Sequence, residues 1–563
     1  MADWNFETDV VVVGSGAGGM SAGLFASLAD MESIVLEKTE QWGGTTAMSG
    51  GVVWIPANKQ IAEVGIKDSE ADGFKYIQKV AGHVSQSRLQ AFIDAGPKML
   101  QLLREQTHVR YAPMPEYMDY YPEFEGFKQG GRSMEPEPIS IRSIGEHIDS
   151  VRKPANQGIL NRFAVTAVEG QSIAKFKANA YLILVKRLLG YWLDVPQRLR
   201  SREDRRQTMG RALVIRLRKS LLEKNVPVWC NARVLKLLQS KNGNVRGVAI
   251  KLDGQLKTIK ARRGVILASG GFAKNTKLRQ NYQYKFVTGD WTAASDGDTG
   301  DAVALGARIG AAFEHMHCAW WTPTYIRPDG VAEALISGKS MPGSIFVNSD
   351  GRRFVNEAKP YEELTKIQLQ VHAREGNCLP CFMIIDANYR QRYPVGPIGP
   401  AKAQPDSALE ADLLNDNFLV KAGTLKELAG KLHINAVNLE QTVRRFNKFA
   451  VDGHDRDFLR GESLHDRYYA DPRVTPNPSL APLSKGPYYA LRIYPGDLST
   501  KGGLKCDENA QVFDNQGGLI SGLYATGNCS GAVFGDSYPG AGATIASAMT
   551  FAYQAVEHIR KNS

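Results

Sequence analysis

Thr8-Asp-Val-Val-Val-Val13 runs directly into Gly14-Ser15-Gly16-Ala17-Gly18-Gly19, and this junction limits the fold more than any other feature of the chain. Consecutive valines without a polar interruption predict a strand buried on both faces, the condition of a parallel sheet. The small residues from Met20 to Ala29 predict a helix, and Ser33-Ile-Val-Leu-Glu37 the next strand, so the N-terminus reads as one βαβ unit. In G-x-G-x-x-G the first glycine turns the chain, the second admits a pyrophosphate and the third lets helix meet sheet. The helix N-terminus then faces the phosphates. Glu37 ends the second strand, about 20 residues on, where a carboxylate accepts hydrogen bonds from ribose hydroxyls. Together these features predict a Rossmann-type dinucleotide site.

The stretch from Glu37 and Lys38 through Gly43-Gly44-Thr45-Thr46 to Ser49-Gly50-Gly51 identifies the dinucleotide as FAD. A flavin reaches well beyond the first helix and needs a second platform of small residues and hydroxyls. Gly527-Asn528 is expected at the ribityl or pyrophosphate. Gly540-Ala-Gly542-Ala-Thr544-Ile545 opens the last helix, whose positive end is expected beside flavin N1 and O2. No second fingerprint of this quality offers a nicotinamide site, and no covalent flavin link is expected. Arg263 to Gly271 and Gly522 to Gly527 read as two further buried strands ending in glycine. Three such strands, far apart in the chain, predict an α/β fold in which an inserted α+β lobe interrupts a Rossmann-type FAD-binding domain. The expected limits are 1–318 and 500–563 for the FAD domain and 319–499 for the substrate lobe, where Pro, Tyr and Arg are more frequent.

The chain has 563 residues, enough for two cores, and a net charge of +11. From Gln171 to Arg206 nine Lys or Arg stand against three acids, interleaved with Phe176, Tyr181, Leu182, Leu188, Leu189, Tyr191, Trp192 and Leu193. Its apolar centre, Ala178 to Val185, is far shorter than the roughly 20 residues that span a bilayer. A helix lying on an anionic membrane and a helix packed on its own protein both fit this pattern. Nucleic acid is not an expected partner. Six cysteines and no secretory signal predict a cytoplasmic protein, and Cys378-Leu-Pro-Cys381 reads as two ordinary thiols. His315-Met-His317 lacks further ligands nearby in sequence, so no metal site is expected.

These blocks resemble the fumarate reductase and 3-ketosteroid dehydrogenase flavoprotein superfamily over nearly the whole chain, including Gly351-Arg-Arg-Phe-Val-Asn-Glu357, which identifies no substrate. Asp119-Tyr120-Tyr121, Lys359-Pro-Tyr361-Glu, Asp497-Leu-Ser-Thr-Lys-Gly-Gly-Leu504 and Ser537-Tyr538-Pro-Gly-Ala-Gly542 are similar to the 3-ketosteroid Δ1-dehydrogenases. The usual family motif is Tyr-Pro-Gly-Pro-Gly, from which Ala541 departs at a position without a catalytic side chain. The segment of about 155–206 resembles the insertion of larger, membrane-associated members.

The resemblance implies removal of a C2 proton and a C1 hydride from a 3-oxo-4-ene steroid, giving the 1,4-diene. Tyr361 matches the general base, Tyr120 its supporting tyrosine, and the Tyr538 hydroxyl with the Gly542 N–H the groups that hold the C3 oxygen. Tyr117 and Tyr121 flank Tyr120, so one step of register changes that assignment. Val234, Gly270 and Asp301 are implied as further flavin contacts. A separate acceptor, a quinone or the respiratory chain, is implied to reoxidise the flavin. The alternatives are a 3-ketosteroid Δ4-(5α)-dehydrogenase, a fumarate reductase-like enzyme, and a non-enzymatic membrane-surface FAD-binding protein.

Overall fold

In a computed structural model that describes residues 4–153, 163–175 and 177–562, the valine run lies in strand β1 (Phe6–Val13), buried from Thr8 onward. Helix α1 (Ala17–Leu28) and strand β2 (Ser33–Leu36) complete the βαβ unit. The helix begins three residues earlier than its sequence predicts, at Ala17 and not Met20, and takes in two poor helix formers. Close packing overrides their propensity: a Cβ on Gly19 would lie 1.8 Å from the Gly14 carbonyl oxygen, and one on Gly18 3.2 Å from Thr526 Cγ2.

Beyond residues 154–162, and Phe176, where the expected insertion falls partly outside the described residues, helix α2 (Ala180–Trp192) buries only Ala180 and Tyr191 among its described side chains. Tyr181, Leu182, Leu189, Trp192, Leu193 and Leu199 are exposed. Part of the basic excess here is turned inward: Arg187 and Arg206 pair with Glu169, and Arg205 with Asp194. Among the described residues, no helix is long and apolar enough to cross a membrane.

Strand β3 (Gln255–Leu267) pairs parallel with β1, so that Val11 faces Val265 and Val13 faces Leu267. It starts well before the predicted Arg263, because its first half carries an antiparallel hairpin, Ala232–Gln239 and Val245–Leu252. A second sheet forms around β4 (Ala319–Ile326), behind which helix α3 (Tyr361–Glu375), β5 (Cys381–Ile385) and β6 (Tyr488–Thr500) follow. All its pairings are antiparallel, with β6 at the centre between β4 and β5. The chain then returns to the first sheet as β7 (Leu519–Ala525), parallel to β3, and ends in α4 (Ala543–Lys561). The first sheet therefore runs β7, β3, β1, β2 and Val228–Trp229 in parallel, with Gln511–Phe513 antiparallel at its edge. Helices α1 and α4 pack on each other and on the first sheet, and their first turns, at Ala17 and Thr544, meet beside the C-terminal ends of β1 and β3.

The Gly351 to Glu357 motif anchors α3. Arg353 donates to both Glu357 oxygens at 2.9 and 2.8 Å and to both Asp455 oxygens at 3.1 and 2.9 Å, while Arg460 donates to Glu357 at 3.0 Å. Burial raises the Glu357 carboxyl, but the Arg353 and Arg460 charges outweigh it and bring it down to about 2. A carboxyl depressed from 4.5 stabilises the fold above about pH 4.5 and loses that contribution as pH falls toward 2. Glu357→Gln leaves buried guanidinium charge under-compensated, and the expected loss is about 3–5 kcal/mol at pH 7. Melting curves of the two proteins should converge as the pH is lowered from about 4.5 toward 2.

Candidate active site

A cleft opens at the C-terminal ends of β1, β3 and β7, between α1 and α4. Its walls include Gly14, Ser15, Gly16, Ala17, Gly18, Glu37, Lys38, Gly44, Thr45, Thr46, Val234, Gly270, Asp301, Gly527, Asn528, Thr544 and Ile545, all expected at the cofactor. Gly16 caps α1, and a Cβ there would meet only Thr46 Oγ1, at 3.6 Å, so the space above the helix end is open to a phosphate. Glu37 lines the cleft and also holds the turn: Oε2 accepts from the Ser15 hydroxyl at 2.6 Å, and Oε1 from the Thr39 N–H and hydroxyl at 2.9 Å each. Lys38 Nζ bonds Asp301 and Thr299, both at 2.6 Å.

Five residues expected at the cofactor do not line the cleft; they support it. Gly19 packs on the Gly14 carbonyl as described. Gly43, at φ 106°, donates its N–H to Ser15 Oγ at 3.0 Å. Ser49 Oγ accepts from the Gly51 N–H at 3.0 Å, and Gly51 abuts the backbone of Gly210. A Cβ on Gly50 would lie 3.6 Å from Val52 Cγ2. Small residues serve close packing as well as ligand approach, and the pattern alone does not separate the two.

The cleft also includes Arg152, Ser269, Ser295, Asp298 and Thr526, which the sequence reading missed. The Asp296-Gly-Asp-Thr-Gly-Asp301 turn leading into a helix was a legible sign for Asp298. Ser499 donates to one Asp298 oxygen at 2.5 Å, while the other oxygen, like Ser269 Oγ, is buried without a partner. Burial lifts the Asp298 carboxyl to about 6. Unpartnered buried polar atoms in the wall, and an open helix end, fit a polar dinucleotide.

Beyond the far end of the cleft three tyrosines from three distant segments meet. The Tyr120, Tyr361 and Tyr538 rings lie edge to face in a triangle, with centroids 5.5 to 5.6 Å apart. Tyr120 donates to the Tyr361 hydroxyl at 3.1 Å. Of its neighbours, the Tyr117 hydroxyl bonds that of Tyr469, and the Tyr121 ring packs on Phe124 while its backbone N–H donates to the Tyr76 hydroxyl at 3.1 Å. Asp119 fixes the register, since its carboxylate accepts from Trp54 Nε1, Arg132 and the Lys128 N–H at 2.7, 2.7 and 3.0 Å. Pro539, next to Tyr538, accepts from the Tyr120 N–H at 3.1 Å and the Tyr76 hydroxyl at 2.7 Å.

Gly542 has φ 100°, and a Cβ would lie 2.6 Å from the Val52 carbonyl, so only glycine fits the turn into α4. Ala541 contributes its carbonyl, which accepts from Ser133 at 2.9 Å. Burial pushes all three phenols up. For Tyr120 every neighbour adds to that rise, so it remains a donor; for Tyr361 the bond from Tyr120 pulls the other way. Tyr538 is lowered in part by bonds from Thr544, Tyr361 and the Gly542 N–H. A hydroxyl that accepts several bonds becomes a stronger donor. The arrangement can hold one carbonyl oxygen and exchange one proton beside it.

The family described as FAD binding domain matches residues 9–545. The chain is 38% identical over 566 residues to the 3-oxosteroid 1-dehydrogenase of Mycobacterium tuberculosis, covering 98% of each chain. To that of Mycolicibacterium smegmatis it is 38% identical over 562 residues, covering 98% of this chain and 96% of the relative. It superposes with a TM-score of 0.96 on the crystal structure of 3-ketosteroid delta1-dehydrogenase from Sterolibacterium denitrificans in complex with 1,4-androstadiene-3,17-dione, at 38% identity, over 99% of this chain and 100% of the other. A cleft fitted to FAD, a tyrosine triangle beyond it and full-length similarity lead to one conclusion: the chain belongs to the family of FAD-binding flavoproteins that includes the 3-oxosteroid 1-dehydrogenases.

Proposed function

We propose that this chain, with FAD held non-covalently in the cleft, converts 3-oxo-4-ene steroids to 3-oxo-1,4-dienes. The observation that carries the reading is the meeting of the Tyr120, Tyr361 and Tyr538 rings, with Tyr120 donating to the Tyr361 hydroxyl and Gly542 opening the helix just after Tyr538. The Tyr538 hydroxyl and the Gly542 N–H hold the C3 oxygen and favour the enolate-like state of the ketone. Tyr361 takes the C2 proton, and Tyr120 stabilises its phenolate by donating to it. FAD, when bound, supplies the acceptor for the C1 hydride at N5. A separate acceptor, a quinone or a component of the respiratory chain, closes the cycle. Aromatic walls around Tyr538, including Trp320 at 4.8 Å, suit a ketone on an apolar skeleton better than two carboxylates, which call for several guanidinium or imidazole partners.

Because burial holds Tyr361 above its ordinary 10, the phenolate grows with pH throughout the neutral and mildly alkaline range. The rate kcat/KM for androst-4-ene-3,17-dione should climb with pH there and reach no plateau below about 10. In Tyr361→Phe, anaerobic bleaching of the flavin band by the steroid should slow at least about a hundredfold with the flavin still bound. Bleaching at the parent rate would overturn the assignment, and a parent protein that only fumarate reoxidises would replace the steroid reading.

The exposed face of α2 and the segment after it, Leu182, Leu189, Trp192 and Leu193 beside the exposed Lys186, Arg200 and Arg202, supports peripheral attachment to an anionic membrane on the cytoplasmic side. Flotation with phosphatidylserine vesicles should carry the parent protein upward and leave Leu189→Glu/Trp192→Glu in the soluble fraction. A parent that stays soluble would remove this part of the proposal.

A further inference from the structure

Lys501 belongs to the Asp497 to Leu504 motif, follows directly on β6, and has no part in the chemistry above. Its side chain is fully buried. Nζ donates to Glu362 Oε1 at 2.7 Å and to the Ser537 carbonyl at 2.9 Å, and it lies 4.5 Å over the Trp320 ring. Each of these three groups touches the tyrosine triangle. Glu362 follows Tyr361 in the first turn of α3, Ser537 precedes Tyr538, and Trp320 packs on the Tyr538 ring. Tyr361 and Tyr538 lie 177 residues apart on different lobes, yet one ammonium binds the residue next to each. Lys366 reinforces the same junction, pairing with Glu362 at 3.0 Å and Asp536 at 3.1 Å.

We infer that Lys501 is a positioning residue for the dehydrogenation: by joining the Glu362 carboxylate to the Ser537 carbonyl it sets the register between Tyr361 and Tyr538 and balances the charge beside them. The inference rests on the roles proposed above for the two tyrosines. Filling the interior does not call for a lysine, because an apolar side chain of that size packs at least as well and avoids the cost of burying an ion. Here the cost is borne where two catalytic segments must keep a fixed spacing, and misplacement of about 1 Å lowers a rate by about a hundredfold.

The titratable groups around the ammonium are Glu362, Lys366 and Asp536, with Cys318 and His315 in its field; the hydroxyls face the Glu362 charge and the neutral Tyr117, Tyr469 and His465. Removing the ammonium leaves Glu362 facing the hydroxyls, which disfavours a phenolate; removing the carboxylate leaves the ammonium, which favours one.

The test compares the flavin-loaded parent with Lys501→Met, Lys501→Arg, Glu362→Gln and Tyr361→Phe. It measures kcat, KM, the pH profile, and exchange of the steroid C2 proton with deuterated water by proton NMR. In Lys501→Met, kcat and C2 exchange should fall together by about 10- to 100-fold with KM within about twofold. Its pH profile should move up, Lys501→Arg should recover most of the loss, and Glu362→Gln should move the profile down. Opposite displacements do not arise from packing damage, and Glu362→Gln carries the test if Lys501→Met does not retain flavin. Parent-like kcat in Lys501→Met, or lower kcat with unmoved profiles in both variants, would overturn the inference. If Tyr361→Phe keeps its turnover and exchange, the underlying tyrosine reading fails instead.

Discussion

The contact between the turn after β1 and the end of β3 governs the rest of the site. A side chain on Gly14 would lie 2.4 Å from the Ala268 carbonyl, and one on Gly19 would overlap the Gly14 carbonyl. Backbone therefore touches backbone where a parallel sheet meets its first helix, and the end of α1 stands directly over the strand ends. Since β7 lies beside β3, the same approach brings Thr526, Gly527 and Asn528 to this point, and α4 follows with Thr544 and Ile545. Segments more than five hundred residues apart share one cleft because two parallel pairings place them there.

At the tyrosine triangle the protein uses hydroxyls where charges would be costly. Burial raises all three phenols, so the row Tyr120, Tyr361, Tyr538 stays neutral at rest and its polarity is set by which hydroxyl donates to which. Full charges are kept one layer back. Asp119 with Arg132 fixes the segment of Tyr120, Glu357 with Arg353 and Arg460 fixes the approach to α3, and Lys501 with Glu362 joins the end of β6 to the start of α3. Buried pairs of this kind add little net stability but penalise any arrangement that separates them. They suit a site whose groups come from chain segments with no local reason to meet.

The βαβ unit, the flavin and most of the cleft wall were legible because each has a local signature: an uninterrupted valine run, glycines at fixed spacing, an acid at a strand end. The helix and strand limits were less so. Gly18 and Gly19 read as turn residues but are helical, and β3 starts early because a hairpin far from its motif pairs with it. Gly43, Ser49, Gly50 and Gly51 carry the same small-residue signal as Gly44 to Thr46, and only packing against Ser15 and Gly210 separates supporting residues from wall. Asp298 was passed over although its turn announces a helix.

The sequence by itself determined the class of fold, the cofactor and the residue types available for chemistry, since backbone sterics and helix-end electrostatics act over a few residues and leave their pattern in the chain. Only the tertiary structure decided which of Tyr117, Tyr120 and Tyr121 meets Tyr361, that the Tyr120 hydroxyl donates to it, and what Lys501 binds. Those outcomes depend on distances between segments hundreds of residues apart and on burial, and neither quantity is carried by local sequence.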